Sequence, residues 1–257
     1  MIKVTLPSKE EVKKLNKNMQ IARMTDFSIL LGGTSNSFTD LTSDYWTRDF
    51  YFKYSALVVT FNNYIIRNSF SDRTVCIRPI ISLEDVDVKS GAYSIFYGEY
   101  PQTIVDEKLS VELEQEYKNG NINATDKTYT TDSENYENMF SSFKSRTHIE
   151  YQYKENKYIR FKADRNCIGK KLSNGIEIKK DDIYWVKVEP IEWLIDNEQN
   201  IAISRNLLLS GIQFDDFLSD WNYEFEHTFI SRFLDEYFSK DMITTKNIDE
   251  KSKIRSK

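Results

Sequence analysis

Hydrophobic and polar positions follow two periods along this chain. Near the N-terminus, LPSKEEVKKLNKNM sets Val12, Leu15 and Met19 at helical spacing, and Ser8 followed by Glu11 makes a capping box, so the pattern predicts an amphipathic helix. A period of two then takes over. SALVVTF and YIIRNSF flank the pair Asn62-Asn63, which tolerates positive φ, and together they predict a hairpin. TVCIRPIISL supplies a further strand, whose Pro79 marks a strand end or an edge. HIEYQYKENKYIRFKA predicts a second hairpin turning near Glu155 and Asn156, and IYWVKVEPIEWLID, NEQN and IAISRNLLL predict a third. Two more helices are expected. VDEKLSVELEQEYKNG places Val105, Leu109, Leu113 and Tyr117 four residues apart and stops on Gly120, while HTFISRFLDEYFSKDM lines up Phe229, Ile230, Phe233, Leu234, Tyr237 and Phe238. These elements predict an α+β protein: a twisted mixed sheet with hairpins, flanked by two or three helices.

The connections divide this pattern. The charged, glycine-containing stretch LEDVDVKSG suggests a boundary between an N-terminal lobe, residues 1–90, and a C-terminal lobe, residues 91–243. TTKNIDEKSKIRSK at 244–257 has no periodicity and reads as a flexible tail. The polar run NINATDKTYTTDSENYEN reads as an exposed loop. YGEYPQ, Tyr97 to Gln102, reads as a corner: Gly98 permits a turn, Pro101 ends a strand, and Tyr97 and Tyr100 anchor the bend in the core. The other reading of the same tyrosines is a ligand-facing loop.

Composition changes this picture little. With 257 residues, 40% of them hydrophobic, and 16 Tyr and 16 Phe, the chain can bury a sizeable core. Its apolar runs are too short to span a bilayer, and MIKVTLPSKEEVKK carries charge where a signal peptide needs an apolar centre, so a cytoplasmic protein with no membrane partner is expected. A net charge of -5 provides no long-range field for nucleic acid, which would require a local patch.

Candidate chemistry is sparse. Cys76 and Cys167 are too few for a disulfide framework and stand in no metal-ligand spacing, so both read as reduced structural thiols. Only His148 and His227 are acid/base groups near neutral pH, and neither has a partner visible in sequence. Asp215, Asp216, Asp220, Glu224, Glu226 and His227 gather enough oxygen to suggest a hard cation, but the spacing matches no calcium loop, and acidic residues also suit a helix N-terminus. No metal and no cofactor are assigned. Lys144, Arg146, Lys157, Arg160, Lys162 and Arg165 interleave with Tyr151, Tyr153, Tyr158 and Phe161, a mixture that suits a nucleic-acid strand as well as a half-exposed hairpin.

YGEYPQ, PIEW at Pro190 to Trp193, IAISRNLL at Ile201 to Leu208 and ISRFLDEYF at Ile230 to Phe238 resemble successive signatures of a bacterial and phage-borne family of unknown function. LPSKEEV, YWTRD at Tyr45 to Asp49 and CIRPII at Cys76 to Ile81 are similar to the WLRS and VRPAL elements of that group. The group in turn resembles C-type-lectin-like and formylglycine-generating-enzyme-like modules, which implies a twisted central sheet carrying binding loops. The order differs here, since WTRD and IRPI precede YGEYPQ; either one fold is circularly permuted or two lobes share the parts. A calcium lectin would need an amide after Glu189-Pro190 and an acid after Trp221-Asn222, where Ile191 and Tyr223 stand. A formylglycine-generating oxidase would need a reactive cysteine pair, which Cys76 and Cys167 do not match.

The expectation is therefore a non-catalytic binding module for a protein partner, using the loops Ser43 to Tyr54, Asn119 to Asn138 and Phe214 to His227. Trp46, Arg48, Arg78, Tyr97, Tyr100, Trp221 and His227 are its candidate contact residues. Two alternatives stand beside it. One is an enzyme with Arg48, Arg78, His148 or His227 converging between the lobes. The other is nucleic-acid binding through residues 144–165.

Overall fold

The structure, a computed structural model, describes residues 2–35, 41–52, 55–69, 72, 74–86, 88, 91–132, 145–163, 167–215 and 224–243. Its architecture is α+β, built from antiparallel ladders with few helices. The expected parallel component reduces to isolated bridges such as Met24–Leu207 and Tyr45–Cys76.

The long strand β10, Ile183–Asp196, organises the larger sheet. One of its edges is taken by β6, Ser94–Ile104, paired along Val186–Leu194. The opposite edge is shared: β9, Asn156–Lys162, pairs with Ile183–Lys187, and β11, Ile201–Ser204, pairs with Trp193–Asp196. From this fork one branch runs to β8, Ser145–Tyr153, and β7, Asn123–Asp132. The other runs through β5, Ile80–Ser82, to β1, Val4–Thr5. Because β1 and β5 belong to this sheet and one core cluster joins residues from both sides of position 90, a cut there does not separate two cores.

The strand β6 is itself irregular. Its ladder with β10 breaks register twice, between Lys187 and Val188 and between Pro190 and Glu192. Pro101 therefore does not end the strand; it sits inside β6 at a register shift, where a missing N–H costs no regular bond. Gly98 has φ +72° and lies in the other break, which places a bulge where a turn was expected. Gln102 Nε2 donates to the carbonyls of both Glu189 and Pro190 at 3.1 Å, and Trp193 Nε1 donates to the Tyr97 carbonyl at 2.8 Å. YGEYPQ is thus a doubly bulged stretch whose two tyrosines lie in the core.

The smaller sheet holds β2, Tyr45–Phe52, β3, Ser55–Val59, and β4, Ile65–Ser69. The stretch expected as a loop from Ser43 is therefore mostly strand, with Tyr45, Trp46 and Thr47 all buried at its start. Likewise Asn123–Asp132, read as exposed loop, is β7: Thr recurs in it, and Tyr129 and Thr131 are buried.

The first helix, α1, Lys9–Lys14, carries the expected capping box but stops at Leu15. Leu15 turns to ψ 147° and buries among Ile80, Ile201 and Ile203, so the chain restarts as α2, Lys17–Gln20. The helix α3, Asp26–Leu30, capped by Thr25, is buried along its whole length. On one face of the β8–β9–β10 surface lies α4, Glu107–Lys118, capped by Asp106; its Leu113 packs with Val105, Ile122, Tyr158 and Trp185. The C-terminal helix begins as α5, Phe229–Phe233, passes through a π turn at Leu234–Phe238 and ends as α6, Ser239–Asp241. Residues 244–257, expected as a tail, lie outside the described residues.

Candidate binding surface

The sequence candidates do not converge. Trp46 and Arg78 are fully buried, as is Tyr100, and Tyr97 is nearly so; none of the four presents a surface to a partner. Their burial has structural causes. Trp46 packs on Phe214 at 5.2 Å, and Tyr100 packs on Phe238 at 5.0 Å. Arg78 donates from Nε to the Ser204 carbonyl at 2.9 Å and from Nη1 to the Met19 carbonyl at 2.5 Å, and its guanidinium lies 5.3 Å from the Tyr45 ring. Burial pulls its pKa down, and it ties α2, β2 and β11 together from inside.

Arg48 lies half-buried on β2 and pairs with Glu11 at 2.7 Å. His227 is exposed and meets Glu224 at 3.1 Å. His148 stacks on Phe161 at 5.4 Å, meets Phe27 edge-on at 5.6 Å, and shares a 2.9 Å hydrogen bond with Thr131 Oγ1. Burial pushes its pKa down to about 3, leaving it neutral in the core. The four groups of the enzyme alternative therefore have separate neighbours. Cys76 is buried and its thiol is pushed up to about 11 by that burial, the opposite of an activated thiolate. Cys167 is buried too.

Trp221, Asp216 and Asp220 lie outside the described residues. Asp215 accepts from the Phe229 N–H at 3.1 Å, which is the helix-start role of an acidic residue. Among the described residues no group of three His, Cys, Asp or Glu side chains is arranged to hold a metal ion.

The basic and aromatic hairpin is covered. Tyr151, Tyr153 and Tyr158 face α4, with Tyr117 meeting Tyr151 at 5.4 Å and Trp185 at 5.8 Å. Its cations are answered by carboxylates: Lys154 by Glu112 at 2.7 Å, Lys157 by Glu99 at 2.7 Å, Arg160 by Glu114 at 2.9 Å and Lys162 by Asp181 at 2.9 Å. Arg160 also stacks 4.7 Å from the Tyr117 ring, and Arg146 lies 4.6 Å from the ring of Phe161. Lys144 and Arg165 lie outside the described residues.

A different region offers contact area. On the three-stranded sheet, Tyr51 is 61% exposed, Phe52 66%, Tyr64 66% and Ile66 47%, with Phe61 also exposed. Arg67 lies 5.8 Å from the Tyr51 ring. Tyr51 and Phe52 end β2, Phe61 and Tyr64 flank the β3–β4 turn, and Ile66 lies on the edge strand between them. A five-residue strand spans about 17 Å, so the two aromatic pairs stand at opposite ends of the sheet about that far apart. The hairpin turn is local in origin, with Asn63 at φ 68° and Thr60 accepting from the Tyr64 N–H at 3.1 Å. Tyr51 and Phe52 follow the half-buried Phe50, where outward and inward positions both become aromatic; that doubling was the available sequence signal.

A second region is a groove of about 460 Å³ beside α4, lined by Val111, Gln115, Lys118 and Ile183 among others. Comparison with known proteins found no matching family model, no matching curated protein and no matching solved structure. No helix among the described residues is long and apolar enough to cross a membrane.

Proposed function

We propose that this protein is a non-catalytic, cytoplasmic binding module that recognises a protein partner through the exposed aromatic residues of its three-stranded sheet. The observation that carries the reading is the concentration of exposed Tyr51, Phe52, Phe61, Tyr64 and Ile66 within one small element, beside the guanidinium of Arg67. Large exposed apolar groups held on a rigid strand cost solvation in the free protein, and Tyr and Arg are the side chains that dominate protein contacts. The resemblance of the sequence motifs to lectin-like modules fits this reading, since those modules present a binding surface on a twisted sheet.

The hairpin of residues 144–165 supports nucleic-acid binding less well, because a cation already paired to a carboxylate releases few counterions on meeting a phosphate. The test is affinity capture from nuclease-treated bacterial lysate with the parent and with a Tyr51→Ser, Phe52→Ser, Tyr64→Ser variant. A polypeptide held by the parent and lost from the variant is expected. Retention that is equal in both proteins, or that vanishes with nuclease, would remove the proposal.

A further inference from the structure

Five strands, β6, β10, β9, β8 and β7, curl until their outer members approach each other: Tyr100 on β6 and Tyr129 on β7 bring their rings to 5.4 Å. No ladder joins β6 to β7 among the described strands; the end of the C-terminal helix lies across the seam between them. The Glu99 N–H on β6 donates to the Met242 carbonyl at 2.8 Å. From β7, the Thr130 N–H donates to Asp241 Oδ2 at 2.6 Å and Lys127 Nζ donates to the Ile243 carbonyl at 2.9 Å. Gly98 makes the approach feasible, since a Cβ there would stand 2.7 Å from the Met242 oxygen. Inside the seam, the Tyr129 hydroxyl donates to Glu150 at 2.7 Å, but the buried Tyr100 hydroxyl has no hydrogen-bond partner among the described residues.

Two strand edges are thus satisfied by one helical turn and one carboxylate. We propose that this turn is a releasable clasp over the β6–β7 seam, and that the charge on Asp241 sets how firmly it holds. The groups facing Asp241 are Lys127 and Thr130 on β7, Tyr100 on β6 and Lys240 on its own turn. Glu99, Glu150 and Lys157 act on Lys127 in turn. Burial raises the Asp241 carboxyl from 3.8 to about 6, more than its hydrogen bond from Thr130 and the two lysines lower it.

The direction follows. A carboxyl whose value is higher in the closed form than in the open one favours closure when protonated, and that advantage is lost as pH rises from the open value through the closed value. With the values 3.8 and about 6, the opening constant of the clasp rises about tenfold between about pH 5 and about pH 7.5. Opening is a local event and is read by amide exchange.

The experiment is hydrogen exchange resolved at the Glu99 and Thr130 amides at those two pH values, with intrinsic chemical exchange divided out. The expected result is about tenfold more opening at the higher pH in the parent and none of that dependence in Asp241→Asn. Lys127→Met, which keeps the carboxyl and removes an opposing cation together with its bond to the Ile243 carbonyl, should open more at the higher pH than the parent does. Equal opening of the parent at the two pH values overturns the proposal whether or not the variants fold, and so does an unchanged dependence in Asp241→Asn.

Discussion

The three-stranded sheet and the β8–β9 hairpin are built from the same kind of sequence, yet they meet opposite neighbours. Both carry aromatic and charged side chains on their strands, and each includes a turn that holds a residue at positive φ, Asn63 in one and Lys154 in the other. In the hairpin, α4 covers one face while His148, Glu150, Ile159 and Phe161 line the other. In the small sheet nothing among the described residues covers Tyr51, Phe52 or Tyr64. The difference teaches that whether an aromatic strand stays exposed is decided by what packs over it. Aromatic content is common to both and decides neither.

The strongest way to break this comparison is to uncover the hairpin. Trp185 is fully buried under α4 and donates from Nε1 to Glu114 at 3.2 Å; Trp185→Ala should destabilise the protein by about 3–5 kcal/mol in denaturant unfolding. Next comes the interior face of the hairpin. His148 is held neutral by burial, so its folded value lies below the unfolded one, and its stabilisation is complete above about pH 6.5 and lost as pH falls toward about 3. The stability advantage of the parent over His148→Gln should therefore shrink by about 2 kcal/mol from about pH 7 to about pH 5. Asp241 acts in the opposite sense over that range, and comparing the two proteins at each pH cancels it.

A smaller effect is expected at the rim. Arg160 joins Glu114 through two hydrogen bonds at 2.9 Å and stacks on Tyr117, so Arg160→Gln should cost about 1 kcal/mol, part of which disappears in high salt. The smallest effect on stability belongs to the exposed edge. Tyr51→Ser and Tyr64→Ser should each change unfolding free energy by no more than about 0.5 kcal/mol, while weakening partner binding by about 2 kcal/mol in titration calorimetry.

Local physics was readable from sequence and neighbour-dependent physics was not. The Ser8–Glu11 capping box, the Asn62-Asn63 turn and the stripe of α4 depend on residues within one or two turns of chain, and each appears in the structure. The break at Leu15 depends on Ile80, Ile201 and Ile203, which are remote in sequence. The strand β7 was hidden because its polar, Thr-rich sequence becomes a strand only by pairing with β8. Trp46, Arg78 and Tyr100 are large or charged groups that suit a contact surface, but size favours burial, and the Arg78 guanidinium donates inward to the carbonyls of Met19 and Ser204. Asp26 went unnoticed, although its buried carboxylate accepts from the Ile104 N–H at 2.9 Å and from the Ser173 N–H at 2.7 Å, joining α3 to β6 and to the loop before β10.

The most direct test of the central claim is site-specific photocrosslinking in cells, with a benzophenone amino acid placed at Tyr64 and, in a second protein, at Lys157 on the covered hairpin. The account predicts a discrete crosslinked polypeptide from position 64 and none from position 157. Crosslinks from position 157 alone, or nucleic acid captured there, would contradict it.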